Sequence, residues 1–153
     1  METHFAKAEM LIRKPLAEVF DAFINPEITT KFWFTKSSGK LEPGKQLQWT
    51  WEMYDHTDNI LVKAVEPQKR IVIEWGAEPD RTQVTWTFTP MEGDTTFVSV
   101  VNDQLKGDTE KLIAYIRDAT EGFALVLAGL KAYLEHNLQL QLIGDRFPAG
   151  LGA

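Results

Sequence analysis

Aromatic rings are the main chemical resource of this chain, which carries five tryptophans and nine phenylalanines in 153 residues. Trp49, Trp51, Trp75, Trp86 and Phe88 lie in stretches that alternate with the period of a strand, and Phe123 lies in one with the period of a helix. Strand parity groups Trp49 with Trp51, Ile73 with Trp75, and Trp86 with Phe88. Brought together, such faces line a concave space that takes an apolar molecule, and packing against indoles suits a planar one. The same rings equally fill a solid core that leaves no space. Phe32-Trp33-Phe34 puts three more rings beside the loop Thr35-Lys36-Ser37-Ser38-Gly39, so Trp33 reads either as a lid or as a core anchor.

Ordinary catalytic chemistry is thinly represented. His4, His56 and His136 fall in a terminus, a turn and a polar helix face. No Asp or Glu joins them at metal-ligand spacing, and they read as exposed side chains. Glu52 and Glu74 have the parity opposite to the Trp faces and form no acid–base pair there. No serine stands in a nucleophile elbow. Ser37-Ser38-Gly39 with Gly44 lacks the strand, helix and lysine of a phosphate-binding loop. There is no cysteine, hence neither a disulfide nor a thiolate site. No metal or other cofactor is expected. The formal charge of −6 opposes nucleic-acid binding, which needs concentrated Lys and Arg. Neither a signal peptide nor a bilayer-length apolar run is present, and a cytoplasmic location is the simplest expectation.

The length fits one domain. Its organising element is a helix over Ala119–Leu138, where Phe123, Val126, Leu127, Leu130, Tyr133, Leu134 and Leu138 recur at spacings of three and four. A shorter helix over about 108–117, capped by Asp108, leads into it, and Gly122 weakens a single continuous helix. Strands are predicted over 5–13, 47–53, 60–66, 70–75, 84–89 and 95–103, with a polar turn at 55–59. Between the first two strands, Leu16, Val19, Phe20 and Phe23 give one short helix. Asn25 and Pro26 then cap and start a second. The domain is taken as residues 1–142. The tail 143–153, with three Gly and a Pro, is expected to be partly ordered at best.

Val19-Phe20-Asp21-Ala22-Phe23, Asn25-Pro26-Glu27 and Phe32-Trp33 form one group of motifs, and Val65-Glu66-Pro67 with Arg70-Ile71-Val72-Ile73-Glu74-Trp75 a second. Val84 to Pro90, and Gly122-Phe123 with Leu130-Lys131-Ala132-Tyr133-Leu134-Glu135, complete the pattern. In this order they resemble the START-like (SRPBCC) superfamily, and within it the family resembling the activator of the heat-shock-protein-90 ATPase. The resemblance covers about residues 5–138. It implies an α+β helix-grip fold, with a curved antiparallel six-stranded sheet wrapped on the long C-terminal helix. It also implies that Phe97 and Val101 face inward, which would bring Ser99 and Asp103 to the same side, Asp103 at the mouth of a cavity. The last strand, Val100-Val101-Asn102-Asp103, departs from relatives that often carry a His followed by small residues.

The leading expectation is a binding module for a small apolar or amphipathic molecule held between sheet and helix. Its candidate site comprises Trp33, Trp49, Trp51, Ile73, Trp75, Trp86, Phe88, Ser99, Asp103, Phe123, Val126, Leu127, Leu130 and Leu134. A co-chaperone or other protein-interaction role is implied by the resemblance alone. About four residues precede the first predicted strand, so the additional N-terminal domain of the eukaryotic activator is expected to be missing. A cyclase- or hydrolase-type enzyme is the third reading, with Asp103 as its acid or base and Tyr115 or Tyr133 as donor. Whether the chain pairs with itself or with another protein is left open.

Overall fold

The computed structural model describes residues 4–148. In chain order the elements are β1 (Ala6–Ile12), α1 (Leu16–Ile24), α2 (Pro26–Thr29), β2 (Lys36–Ser37), β3 (Gln46–Trp51), β4 (His56–Glu66), β5 (Arg70–Trp75), β6 (Thr82–Met91), β7 (Thr95–Asp103), α3 (Thr109–His136) and α4 (Leu142–Asp145). All strands join one antiparallel sheet in the order β1-β7-β6-β5-β4-β3-β2. The expected α+β helix-grip arrangement is present, but the sheet has seven strands, not six. The extra one is β2, a two-residue edge strand held where Thr35 N–H donates to the Thr50 carbonyl at 2.8 Å and Ser38 N–H to the Gln48 carbonyl at 3.0 Å. Two residues carry no readable alternation, so the sequence showed only a turn-rich stretch there.

Other boundaries moved for local reasons. β3 stops at Trp51, and Glu52–Tyr54 forms a 3₁₀ turn closed by Asp55 at φ 49°. Met53 therefore leaves the parity of Trp51 and stands exposed. β4 begins at His56, so most of the stretch read as a polar turn is strand facing β3. A bulge between Val62 and Ala64 then shifts the register, and Val65 rather than Ala64 lies opposite the buried Ile71.

The helix expected in two pieces is one α3 of 28 residues, capped by the Asp108 carboxylate, which accepts from Lys111 N–H at 2.9 Å. Gly122 costs about 1 kcal/mol in a helix interior. Burial of Phe123, Val126, Leu127 and Leu130 along one stripe outweighs it. Asn137, at φ 55°, ends the helix, which leaves Leu138 exposed rather than on the stripe. Gly129 lets α3 close on the segment after α2: a Cβ there would stand 3.2 Å from Phe32 Cβ and 3.3 Å from the Phe32 carbonyl oxygen.

Two side chains fasten the far half of α3 to β1. Lys131 Nζ donates to the Leu11 carbonyl at 2.7 Å and to Glu135 Oε2 at 2.8 Å, and Arg13 N–H donates to the same oxygen at 2.8 Å. Burial alone would raise the Glu135 pKa, but the Arg13 N–H and Lys131 together outweigh it and hold the carboxyl below its ordinary value. The stability it contributes is thus present above about pH 4.3, the unfolded-chain value. That stability is lost as the pH falls through the lower folded value. Glu135→Gln is expected to lower the unfolding free energy by about 1–2 kcal/mol at pH 7. The loss should shrink as the pH falls through that lower folded value. Urea titrations at pH 7 and pH 3.5 check both points.

Candidate functional site

A cleft of about 510 Å³ opens between the first half of α3 and the β3–β5 end of the sheet. Strand register builds one wall. Trp51 lies directly opposite His56, and Trp75 opposite Thr82, and paired residues of an antiparallel ladder share a face. Helical spacing builds the other, where Tyr115, Asp118, Ala119, Gly122, Phe123 and Val126 follow each other at three and four residues. Trp33 forms the floor and Ile143 of α4 part of the rim.

The rings are organised around Trp33, whose centroid lies 5.0–6.2 Å from those of Phe34, Trp49, Trp51, Trp75, Trp86 and Phe123. Trp75 and Phe123 stack across the cleft at 5.7 Å with 24° between planes. Of the two readings of Trp33, the core anchor is the one its burial fits. It is a buried hub with one side turned to the cleft.

The expected site residues fall into three groups. Trp33, Trp51, Trp75, Phe123 and Val126 line the cleft. Trp49, Ile73, Trp86, Phe88, Leu127 and Leu130 are buried in the core without lining it, and half-buried Leu134 packs against that core further along α3. Ser99 and Asp103 are on the opposite face of the sheet. Val98, Val100 and Asn102 pair with Phe88, Trp86 and Val84, so it is their parity that looks inward. The expectation that Phe97 and Val101 face the core is corrected accordingly. The cleft residues missed in the sequence were His56, Tyr115 as a wall residue, Asp118, Ala119, Gly122 and Ile143. His56 was hidden by reading its strand as a turn, although its even parity with Ile60 and Val62 was available.

The inner end of the cleft closes on a polar cluster. Tyr115 Oη donates to Asn102 Oδ1 at 2.8 Å, and Asn102 Nδ2 donates to Thr82 Oγ1 at 3.0 Å and to the Gln83 carbonyl at 2.8 Å. Trp75 Nε1 donates to Thr82 Oγ1 at 3.1 Å. The single Tyr115 proton is committed to Asn102. The 3.0 Å contact between Thr82 Oγ1 and Tyr115 Oη therefore has Thr82 as donor. Thr82, Tyr115 and Asn102 form a closed ring that fixes the wall and the Trp75 indole. Asn102 and Thr82 are buried. Asn102→Leu is expected to remove the acceptor of the Tyr115 proton and a donor to Thr82 Oγ1 and the Gln83 carbonyl, and to cost about 1–3 kcal/mol. Thermal or urea denaturation followed by circular dichroism checks this.

The segment after α3 folds back along the rim, which places residues 143–148 of the expected tail against the domain. Tyr54 Oη donates to the Ile143 carbonyl, Arg146 Nε meets Glu121 Oε1 at 2.5 Å, and the Tyr54 and Phe147 rings meet edge-on at 5.9 Å. Burial pushes the Tyr54 pKa up, and the Arg146 charge partly opposes it. Residues 149–153 lie outside the described part. Among the described residues, no group of three or more His, Asp or Glu is placed to hold a metal. No helix there is long and apolar enough to cross a membrane.

A curved antiparallel sheet gripping one long helix is the helix-grip arrangement of the START-like proteins. The chain belongs to the family of activator of Hsp90 ATPase homolog 1-like proteins, whose family model matches residues 13–135. Protein SSP2350 from Staphylococcus saprophyticus is 31% identical, with a TM-score of 0.78 over 90% of this chain and 96% of that one. DynU16, a protein of the dynemicin biosynthetic locus, has a TM-score of 0.76 at 21% identity, over 89% of this chain and 49% of its own. The Aha1 dimer from Colwellia psychrerythraea has a TM-score of 0.74 at 17% identity, over 86% of this chain and 96% of that one. These last two likenesses concern the fold. No curated protein matches the chain.

Proposed function

We propose that this protein binds a small apolar or amphipathic molecule in the cleft between α3 and the sheet. The observation that carries the proposal is the 510 Å³ cleft walled by Trp33, Trp51, Trp75, Phe123 and Val126. Ligand pockets are typically concave, largely apolar and ~300–1,000 Å³ in size. The occurrence of a similar fold in a biosynthetic locus accords with handling a small organic molecule. The proposal includes a cytoplasmic site of action, in keeping with a chain free of cysteine.

Catalysis finds less support. Asp103, the acid on which an enzyme reading depended, stands on the sheet face opposite the cleft. The family name suggests a co-chaperone role. Against that role stands the placement of the aromatic residues, which are gathered inside the fold around Trp33 rather than spread on an outer face. A panel of fatty acids, flavonoids and aromatic polyketides, screened by native mass spectrometry and thermal shift, tests the proposal. At least one saturable 1:1 complex is expected. A panel that leaves mass and melting temperature unchanged, alongside stimulation of a purified chaperone ATPase, would transfer the case to the interaction role.

A further inference from the structure

Resting on that binding role, the charge and ring inventory of the cleft narrows the class of its occupant. We infer that the cleft selects an organic cation with a flat apolar body, and discriminates against an anion of the same shape.

The rings supply the first observation. Trp33 presents itself obliquely to Trp51, Trp75 and Phe123, with interplanar angles of 67°, 64° and 65°. Trp75 and Phe123 lie nearly parallel at 24°. All four rings line the cleft, and an aromatic face turned to an occupant attracts an ammonium group.

The charges supply the second. Asp118 is the carboxylate on the helix wall. A recess of about 370 Å³ shares Trp51, His56 and Trp75 with the cleft and adds Asp58 on the sheet side. Neither space is lined by a Lys or Arg. Asp58 is held in place, with Oδ1 accepting from Gly76 N–H at 3.1 Å and Oδ2 lying 3.9 Å from His56 Nε2. Asp118 Oδ1 takes Arg117 Nε at 3.1 Å in an exposed pair, which screens its charge in part. Arg117 and Arg146 line the neighbouring recess beyond Asp118, where Arg146 is engaged by Glu121. An anion in the cleft would meet Asp118, with Asp58 in the adjoining recess, and no Lys or Arg, whereas a cation would meet a carboxylate beside aromatic rings. The net charge of −6 favours the approach of the cation as well.

Three probes on one naphthyl frame test this: (1-naphthylmethyl)trimethylammonium, 1-naphthalenemethanol and 1-naphthaleneacetate. Titrations at low and moderate salt are followed by tryptophan fluorescence. The cation is expected to bind about tenfold or more tighter than the anion, and at least as tightly as the alcohol. Asp118→Asn is expected to reduce the cation-to-anion ratio about threefold. Its substitution lies on an exposed side chain, so folding is kept. If the alcohol binds but the acetate equals or exceeds the ammonium compound, the charge inference fails and the binding role stands. If none of the three binds, both fail.

Discussion

Trp33→Ala is expected to lower the unfolding free energy by about 3–5 kcal/mol, the largest stability loss of any single substitution in this chain. The reason is position rather than size alone. The Trp33 ring contacts six other rings, on the segment after α2, on β3, β5 and β6, and on α3. Removing it deletes a side chain whose ring meets both the sheet and α3. It also joins the cleft to the core as a larger void, and the cavity contributes its own cost beyond lost transfer energy. Trp33→Phe keeps a ring and should cost less than half as much. Urea denaturation followed by far-UV circular dichroism is the measurement, because it does not depend on the tryptophan being removed. A loss below about 1 kcal/mol would place Trp33 outside the load-sharing core.

Gly122→Phe has the largest expected effect on binding. A side chain at this position meets no heavy atom within 4 Å of its Cβ, and the position lines the cleft. The new ring enters the space a ligand would use. Obstructing about 100 Å² of apolar contact at about 25 cal/mol per Å² removes about 2.5 kcal/mol, or roughly seventyfold in affinity. Stability should hold or rise by a few tenths of a kcal/mol, since phenylalanine has a higher helix propensity than glycine. Gly122→Ala separates the two effects: it is expected to stabilise by about 1 kcal/mol and to weaken binding only slightly. Calorimetric titration with whichever naphthyl probe binds, beside a thermal melt of each variant, measures both.

Most of the architecture could be read in the residues because it rests on periodicity. Alternation in 84–89 and the stripe through Phe123, Val126, Leu127 and Leu130 required only the pattern of apolar side chains. The two caps were equally local. Asn25 Oδ1 accepts from Glu27 N–H and Asp108 Oδ1 from Lys111 N–H, as their residue types suggested. What escaped depended on pairing. Whether Ser99 or Val100 faces inward is decided by the opposition of Val100 to Trp86. A strand alternating Ser, Val, Val, Asn and Asp carries apolar residues on both faces and leaves its own parity undecided. His56 became a wall residue only because β4 extends back to pair with Trp51. Aromatic composition correctly indicated which rings gather, but not which of them front empty space. Trp49 and Trp51 share a parity, yet Trp49 stacks on Phe34 at 4.5 Å and is buried while Trp51 borders the cleft.

That last difference makes the five tryptophans a built-in map. Titrating 1-naphthalenemethanol into protein labelled with ¹⁵N at the indole nitrogens, and following the indole N–H resonances, tests the existence of a ligand site in the cleft most directly. Trp33, Trp51 and Trp75 are expected to shift along saturable curves with one common dissociation constant, while Trp49 and Trp86 stay nearly in place. The same titration of Gly122→Phe should leave all five still. Five resonances that do not move in the parent protein, or that move equally in parent and variant, would contradict a ligand site between α3 and the sheet.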